Sequence, residues 1–166
     1  MNILRNILLL FIGCCFLSAC YTFKGTSIPP TTKTYFVEQF SVRTSAAPAD
    51  LGQTFTQALI DKVRSESRLS LTETDPDIEF EGFVSKFEVT AINPEPDATV
   101  AANRLTIEVH VNYKTRQEND KEWQQNFSYF VDFPASQNLL DVQDQVTDEA
   151  FDQITEDIFN KAFTDW

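Results

Sequence analysis

Histidine, glycine and usable cysteine are all scarce in this 166-residue chain, and each shortage removes a class of chemistry. His110 is the only histidine, so no histidine pair can hold zinc. With four glycines there is no glycine-rich phosphate loop. The three cysteines, Cys14, Cys15 and Cys20, all fall within the first twenty residues. Basic residues are the minority, 13 against 25 acidic, for a formal charge of −12. Such an excess opposes binding to nucleic acid and charge-driven adhesion to anionic lipid, so an anionic ligand would need a local basic patch. No second long apolar run follows the one at the start.

That first run carries the strongest signal in the chain. Arg5 supplies a positive start, Ile7 to Leu17 is apolar, and Leu17-Ser18-Ala19-Cys20 has the small residues of a cleavage site. The apolar stretch is far short of the roughly 20 residues that span a bilayer. Residues 1–19 therefore read as a lipoprotein signal peptide, with Cys20 as the lipid attachment site. Cys14 and Cys15 would leave with the leader, so no disulfide or free thiol would remain. Acyl chains add about 0.8 kcal/mol per buried methylene, enough to hold a chain to a membrane without crossing it. Tyr21 after the cysteine, with no acidic residue there, fits sorting to an outer membrane.

Residues 20–34, with Gly25, Pro29 and Pro30, are expected to be a lipidated extended tether, and residues 35–166 one domain. Fifteen phenylalanines against one methionine predict a rigid, bulky core. Tyr35 to Val42 reads as a first strand. After Pro48 and a capping Asp50, the residues Leu51, Phe55, Ala58, Leu59 and Val63 recur at helical spacing, with Gln57, Asp61, Lys62 and Arg64 on a solvated face. Ile78, Phe80, Gly82 and Val84 alternate, Phe83, Phe87 and Val89 take the other parity, and a bulge is expected near Gly82. Leu105, Ile107, Val109, Val111 and Tyr113 alternate most regularly and should form a hairpin with Trp123, Phe127, Tyr129 and Val131. Val142, Val146, Ala150, Ile154, Ile158 and Ala162 stripe a last helix whose other surface is acidic. The fold class is α+β, a two-layer α/β sandwich of order β-α-β-β-β-α. Its mainly antiparallel four-stranded sheet carries both helices on one face and leaves the other open.

Little here supports catalysis. His110 lies mid-strand, opposite the apolar parity, and reads as an exposed strand residue. Asp75 and Asp77 flank Pro76 and Glu95 sits between Pro94 and Pro96, but acidic residues around prolines are usually loops. No catalytic residue, metal site or cofactor is expected. Asn126-Phe127-Ser128 is an accidental glycosylation sequon in a chain with this leader.

Several segments carry a resemblance. They are Cys20-Tyr21-Thr22-Phe23-Lys24-Gly25-Thr26-Ser27-Ile28-Pro29-Pro30, Gln53-Thr54-Phe55-Thr56 with Ala58-Leu59 and Arg68-Leu69, Phe80-Glu81-Gly82, Asn103-Arg104-Leu105-Thr106-Ile107, and Glu156-Asp157-Ile158-Phe159-Asn160-Lys161-Ala162-Phe163. In order and spacing this set resembles the shorter, divergent branch of the LptE family of lipopolysaccharide-assembly lipoproteins. The resemblance implies a non-enzymatic outer-membrane lipoprotein that plugs the β-barrel protein LptD and helps deliver lipopolysaccharide to the outer leaflet. Its folded domain would be periplasmic or inside the barrel lumen. Family members contact lipopolysaccharide through basic residues, and here Lys114, Arg116 and Lys121, around a polar turn, form the nearest patch that could meet phosphate. The competing reading is a periplasmic binding module or pilotin-like chaperone for another secretion component, favoured by the acidic last helix.

Overall fold

The computed structural model describes residues 28–92, 101–116 and 122–164; the leader, Cys20, Glu95 and Lys121 lie outside the described residues. The elements run β1 (Thr34–Val37), β2 (Ser41–Val42), α1 (Leu51–Glu66), β3 (Ser70–Leu71), β4 (Ile78–Ile92), β5 (Ala102–Thr115), β6 (Trp123–Pro134) and α2 (Leu139–Phe163). One sheet of order β3-β1-β4-β5-β6, with β2 also on β4, packs beneath both helices.

The sheet is mixed, where the sequence suggested a mainly antiparallel one. β4, β5 and β6 form a long antiparallel meander, but β1, β2 and β3 join in parallel. The cause is α1, which carries the chain back along the sheet before β4 begins, so β4 enters in the direction of β1. β3 escaped notice because two residues cannot display a period.

Two inserted residues shape the sheet. The first segment breaks between β1 and β2: Val37 pairs with Phe80 but Ser41 with Phe83, so four steps on one strand match three on the other. The extra residue turns Phe40 inward behind Tyr35 and Val37, and all three are buried. The second insertion is at Ser85, between Val84 opposite Val109 and Lys86 opposite Glu108. The bulge expected at Gly82 thus lies three residues later. It moves Phe87 to the core while Phe83 stays on the other face; Val89, on the parity of Phe87, remains 38% exposed.

Gly82 and Gly52 serve close approach. A Cβ on Gly82 would overlap the His110 carbonyl oxygen and lie 2.7 Å from Phe40 Cε1. One on Gly52, in the first turn of α1, would overlap the Phe40 carbonyl oxygen. Phe40 N–H donates to Thr56 Oγ1 at 2.9 Å, and that hydroxyl donates onward to the Gly52 carbonyl at 2.7 Å. Edge-on ring contacts then join Phe40 to Phe55 at 4.9 Å and Phe55 to Phe151 of α2 at 5.0 Å.

The helix ends have local causes. Asp50 occupies the N-cap of α1 but its side chain caps nothing, while Ser67 closes the other end by donating to the Val63 carbonyl at 2.6 Å. Asn138 Oδ1 accepts the Leu140 N–H at the start of α2. Val146, Ala150, Ile154 and Ile158 are buried as the stripe requires, with Phe151, Phe159 and Phe163 beside them. Lys62, expected on a solvated face, instead reaches across to Glu156 of α2 and clasps the helices together. The presumed tether is docked from Ile28 onward: Ile28 joins the core, and Arg68 donates 2.8 Å hydrogen bonds to the Ile28 and Pro29 carbonyls.

Replacing glycine by alanine inside an exposed helix ordinarily stabilises by about 1 kcal/mol. At Gly52 and Gly82 the sign should reverse. Gly52→Ala and Gly82→Ala are expected to cost about 1 to 3 kcal/mol in urea unfolding, because the new methyl meets backbone that cannot yield. Phe55→Ala should cost about 3 to 5 kcal/mol.

Candidate interaction surface

The sheet face away from the helices is built by the side chains that alternate with the core set. On β5 these are Arg104, Thr106, Glu108, His110 and Asn112, all half-buried because neighbouring strands shield them, while Lys114 at the end of the row is exposed. Among the described residues no other element packs over them.

Glu108, His110, Asn112 and Lys114 join one continuous chain of polar contacts across three strands. Lys114 Nζ donates to Glu81 Oε2 at 2.7 Å, and Asn112 Nδ2 donates to Glu81 Oε1 at 3.2 Å. Asn112 Oδ1 then lies 3.1 Å from His110 Nε2, and Asn126 Oδ1 2.6 Å from His110 Nδ1. Asn126 Nδ2 donates to Glu108 Oε1, which also accepts the Ser85 hydroxyl at 2.8 Å. Because each asparagine gives its amino group to a carboxylate, each presents its oxygen to the imidazole. His110 is thereby held in one ring orientation and stacks on Phe83 at 4.9 Å, while Arg43 covers that phenylalanine ring at 3.6 Å. Farther along, Arg104 makes a two-pronged pair with Asp132 at 2.7 and 2.8 Å and lies 3.7 Å above the Phe130 ring. The hydrogen bond from Lys114 holds the Glu81 carboxyl below its ordinary range, and Arg104 does the same for Asp132. Phe130, 49% exposed, is a large apolar side chain left open on this face, beside the half-buried Phe83.

The face resembles a fitted tile more than a reaction centre. Its cations Lys86, Arg104 and Lys114 each pair with a carboxylate, Glu108 is met by the neutral Ser85 and Asn126, and its polar atoms are mostly engaged with one another. Glu38, Glu79 and Glu81 bring carboxylate oxygens within 4.8 Å of one another at its margin, an approach invisible in the sequence because β1 and β4 are distant along the chain. Glu81 in that trio already serves Lys114 and Asn112.

The family model for LptE, described as lipopolysaccharide-assembly, matches residues 32–162. The chain belongs to the LptE family. No curated protein matches it in sequence. Similar solved structures include a rare lipoprotein B from Shewanella oneidensis, 12% identical with TM-score 0.50, covering 76% of this chain and 92% of that one. A Xanthomonas campestris protein of family DUF330 is 14% identical with TM-score 0.52, covering 83% and 89%. A putative neuraminyllactose-binding hemagglutinin homologue from Helicobacter pylori is 12% identical with TM-score 0.53, covering 86% and 89%. At such identities these likenesses establish the α+β fold that this LptE-family chain shares with them.

Lys114 and Arg116 do come together, lining a cleft of about 180 Å³ with Pro76, Asp77, Glu79 and Glu122. Each is paired with a carboxylate, Lys114 with Glu81 and Arg116 with Asp75. The third member of the expected patch, Lys121, lies outside the described residues. Asp75 and Asp77 have structural work. Asp75 sits at φ 57°, in the left-handed turn before Pro76, and the Arg116 hydrogen bond holds its carboxyl below the ordinary value. Asp77 Oδ2 accepts from Lys33 N–H at 2.8 Å, Thr34 N–H at 3.0 Å and Thr34 Oγ1 at 3.0 Å, fastening the start of β1 to the start of β4.

The Lys33 backbone hydrogen bond lowers the Asp77 carboxyl below its ordinary 3.8, with Thr34 adding to the effect. Its contribution to stability is therefore complete above 3.8 and is lost as pH falls through the lowered native value. Asp77→Ala should cost about 1 to 3 kcal/mol at neutral pH. Urea titrations at descending pH should show this gap closing below about pH 4, as the native carboxylate itself becomes protonated.

Proposed function

We propose that this chain is an outer-membrane lipoprotein of the lipopolysaccharide transport machine, seated as a plug in an LptD-type β-barrel and assisting delivery of lipopolysaccharide to the outer leaflet. The observation that carries this reading is the bare sheet face, whose polar side chains bond to one another, joined to membership of a lipopolysaccharide-assembly family. The lumen wall of a large barrel is polar, so a plug needs a rigid surface with its charges compensated and little exposed apolar area. The side-chain ladder from Lys114 to Ser85 has that character. Among the described residues no helix is long and apolar enough to cross a membrane; attachment through a lipid at Cys20 is part of the proposal.

Direct contact with lipopolysaccharide phosphate through Lys114 and Arg116 belongs to the same proposal. It would proceed by exchange of Glu81 and Asp75 for phosphate, since both cations are already paired.

The full chain carrying a C-terminal tag is expected to copurify with an LptD-type barrel, and its depletion should lower surface lipopolysaccharide. Recovery of a monomer without a barrel, together with unchanged surface lipopolysaccharide, would refute the plug. Cys20→Ala should leave the folded domain intact and release it from the membrane fraction. For the phosphate contact, Glu81→Gln with Asp75→Asn should raise retention on immobilised lipopolysaccharide, and adding Lys114→Ala and Arg116→Ala should abolish the gain.

A further inference from the structure

Among the described residues the sheet has free edges at β2 and β3, along the far half of β4, and at β6. All but the last carry devices that keep a strand from pairing with other chains. β2 and β3 are two residues long each. β4 is uncovered beyond Val84, the last residue paired with β2, and there it carries the Ser85 bulge, Lys86 and Glu88. The β6 edge has none of these. Its 12 residues pair with β5 without a register break, the stretch from Trp123 to Val131 is uncharged, and its one proline, Pro134, stands at the very end. Ala135 N–H donates to the Ala101 carbonyl at 3.0 Å, which fixes the phase of the ladder. Gln125, Phe127, Tyr129, Val131 and Phe133 therefore spend their backbone groups on β5, whereas Gln124, Asn126, Ser128, Phe130 and Asp132 turn theirs outward. Among the described residues nothing bonds to those outward N–H and carbonyl groups.

We infer that the β6 edge receives an extended segment of another protein as an added strand, with lysine or arginine at alternate positions on its helix side. The outward backbone groups of β6 supply the pairing, a mode that asks for no particular side chain on the edge itself. The charge of the segment follows from what lies alongside. α2 packs on β6, and Tyr129 shares the lining of one groove with Glu149 and Asp152 of that helix. Neither carboxylate joins an ion pair among the described residues. A strand added about 4.8 Å from β6 brings its helix-side residues toward these carboxylates, whose fields reach roughly 8 Å in physiological salt. A second copy of this chain fits less well. Antiparallel pairing of β6 with β6 about a two-fold axis sets the helices of both copies on the same side of the joined sheet, bringing one acidic α2 toward the other. On the bare face Phe130, 49% exposed and held under the Arg104 guanidinium, offers the added strand an aromatic surface to cover. The pairing needs no barrel, and the inference goes beyond the plug reading.

The test uses the full-length, ¹⁵N-labelled chain in zwitterionic detergent micelles and the peptide acetyl-(Lys-Thr)4-amide, whose lysines share one face when it is extended. Amide exchange followed by NMR should slow at Gln124, Asn126, Ser128, Phe130 and Asp132 by about tenfold with peptide at about ten times its dissociation constant, and stay unchanged at Phe127, Tyr129 and Val131. The same peptide N-methylated at its threonines keeps every charge but loses the donors that face β6, and should leave exchange at those sites unaltered. Ser128→Pro removes a central outward N–H that β5 does not use, and should weaken binding by about tenfold or more while the fold stays. Should that variant unfold, the methylated peptide decides alone. Equal protection by the methylated peptide or by acetyl-(Glu-Thr)4-amide would overturn the inference. So would protection of the outward amides without any peptide, whether independent of protein concentration, as when another part of this chain covers the edge, or rising with it, as when a second copy does.

Discussion

Phe40 is the constraint on which the sheet and helices depend. One residue too many between β1 and β2 turns this side chain inward, and the space it needs exists only because Gly82 lies beneath the ring and Gly52 beside the backbone. The displaced N–H would be an orphan in the interior, but Thr56 of α1 accepts it. A single insertion thus fixes the distance between α1 and the sheet. Through Phe55 and Phe151 it also fixes the position of α2. Rings meeting edge to face in this sequence make a stiff connection between layers, since none can rotate without displacing the next.

Closing one face so tightly decides what the other can be. Side chains of a strand alternate between faces, so every residue committed to the core on β5 has a neighbour facing away from the helices. In this chain those neighbours are mostly polar, and they bond to one another before they meet anything else. The result is a surface whose shape is set in advance. A partner meeting such a surface gives up little conformational entropy in ordering it, and that suits a subunit held inside a larger protein.

Long periodic elements were legible in the sequence because many residues vote for one face. The stripe of α2, the span of α1 and the alternation of β5 against β6 all appear as read, and Cys20 lies outside the described residues. Insertions were harder to read. A missing side chain suggests a bend at Gly82, but the function of that glycine is to admit Phe40, and the extra residue is Ser85. Parallel pairing of β1 was illegible for another reason: strand direction is set by where α1 returns the chain, a tertiary fact with no local signature. The side-chain ladder was half legible. His110 could be assigned to the uncovered parity, with Asn112 two residues along the same strand, but Asn126 comes from register, which places it opposite His110 on the adjacent strand.

Charge is divided between the two sides of the molecule in a way composition could not reveal. On the bare sheet face, Lys114, Arg104 and Lys86 are each matched by a carboxylate, so cations and anions are interspersed there although Glu79 and Glu108 have no cation partner among the described residues. On α2, by contrast, Asp141, Asp144, Asp148, Asp152 and Asp157 are exposed, and none joins an ion pair among the described residues. At physiological ionic strength fields fade over roughly 8 Å, so the sides act nearly independently on whatever approaches them. An anionic surface approaching α2 meets uncompensated repulsion; approaching the sheet, it meets cations that need only exchange one anionic partner for another. The same division means that a basic partner is drawn to the helical side, where carboxylates are unspent. Two ligands of opposite charge can therefore be accommodated by one small domain without competing for the same residues.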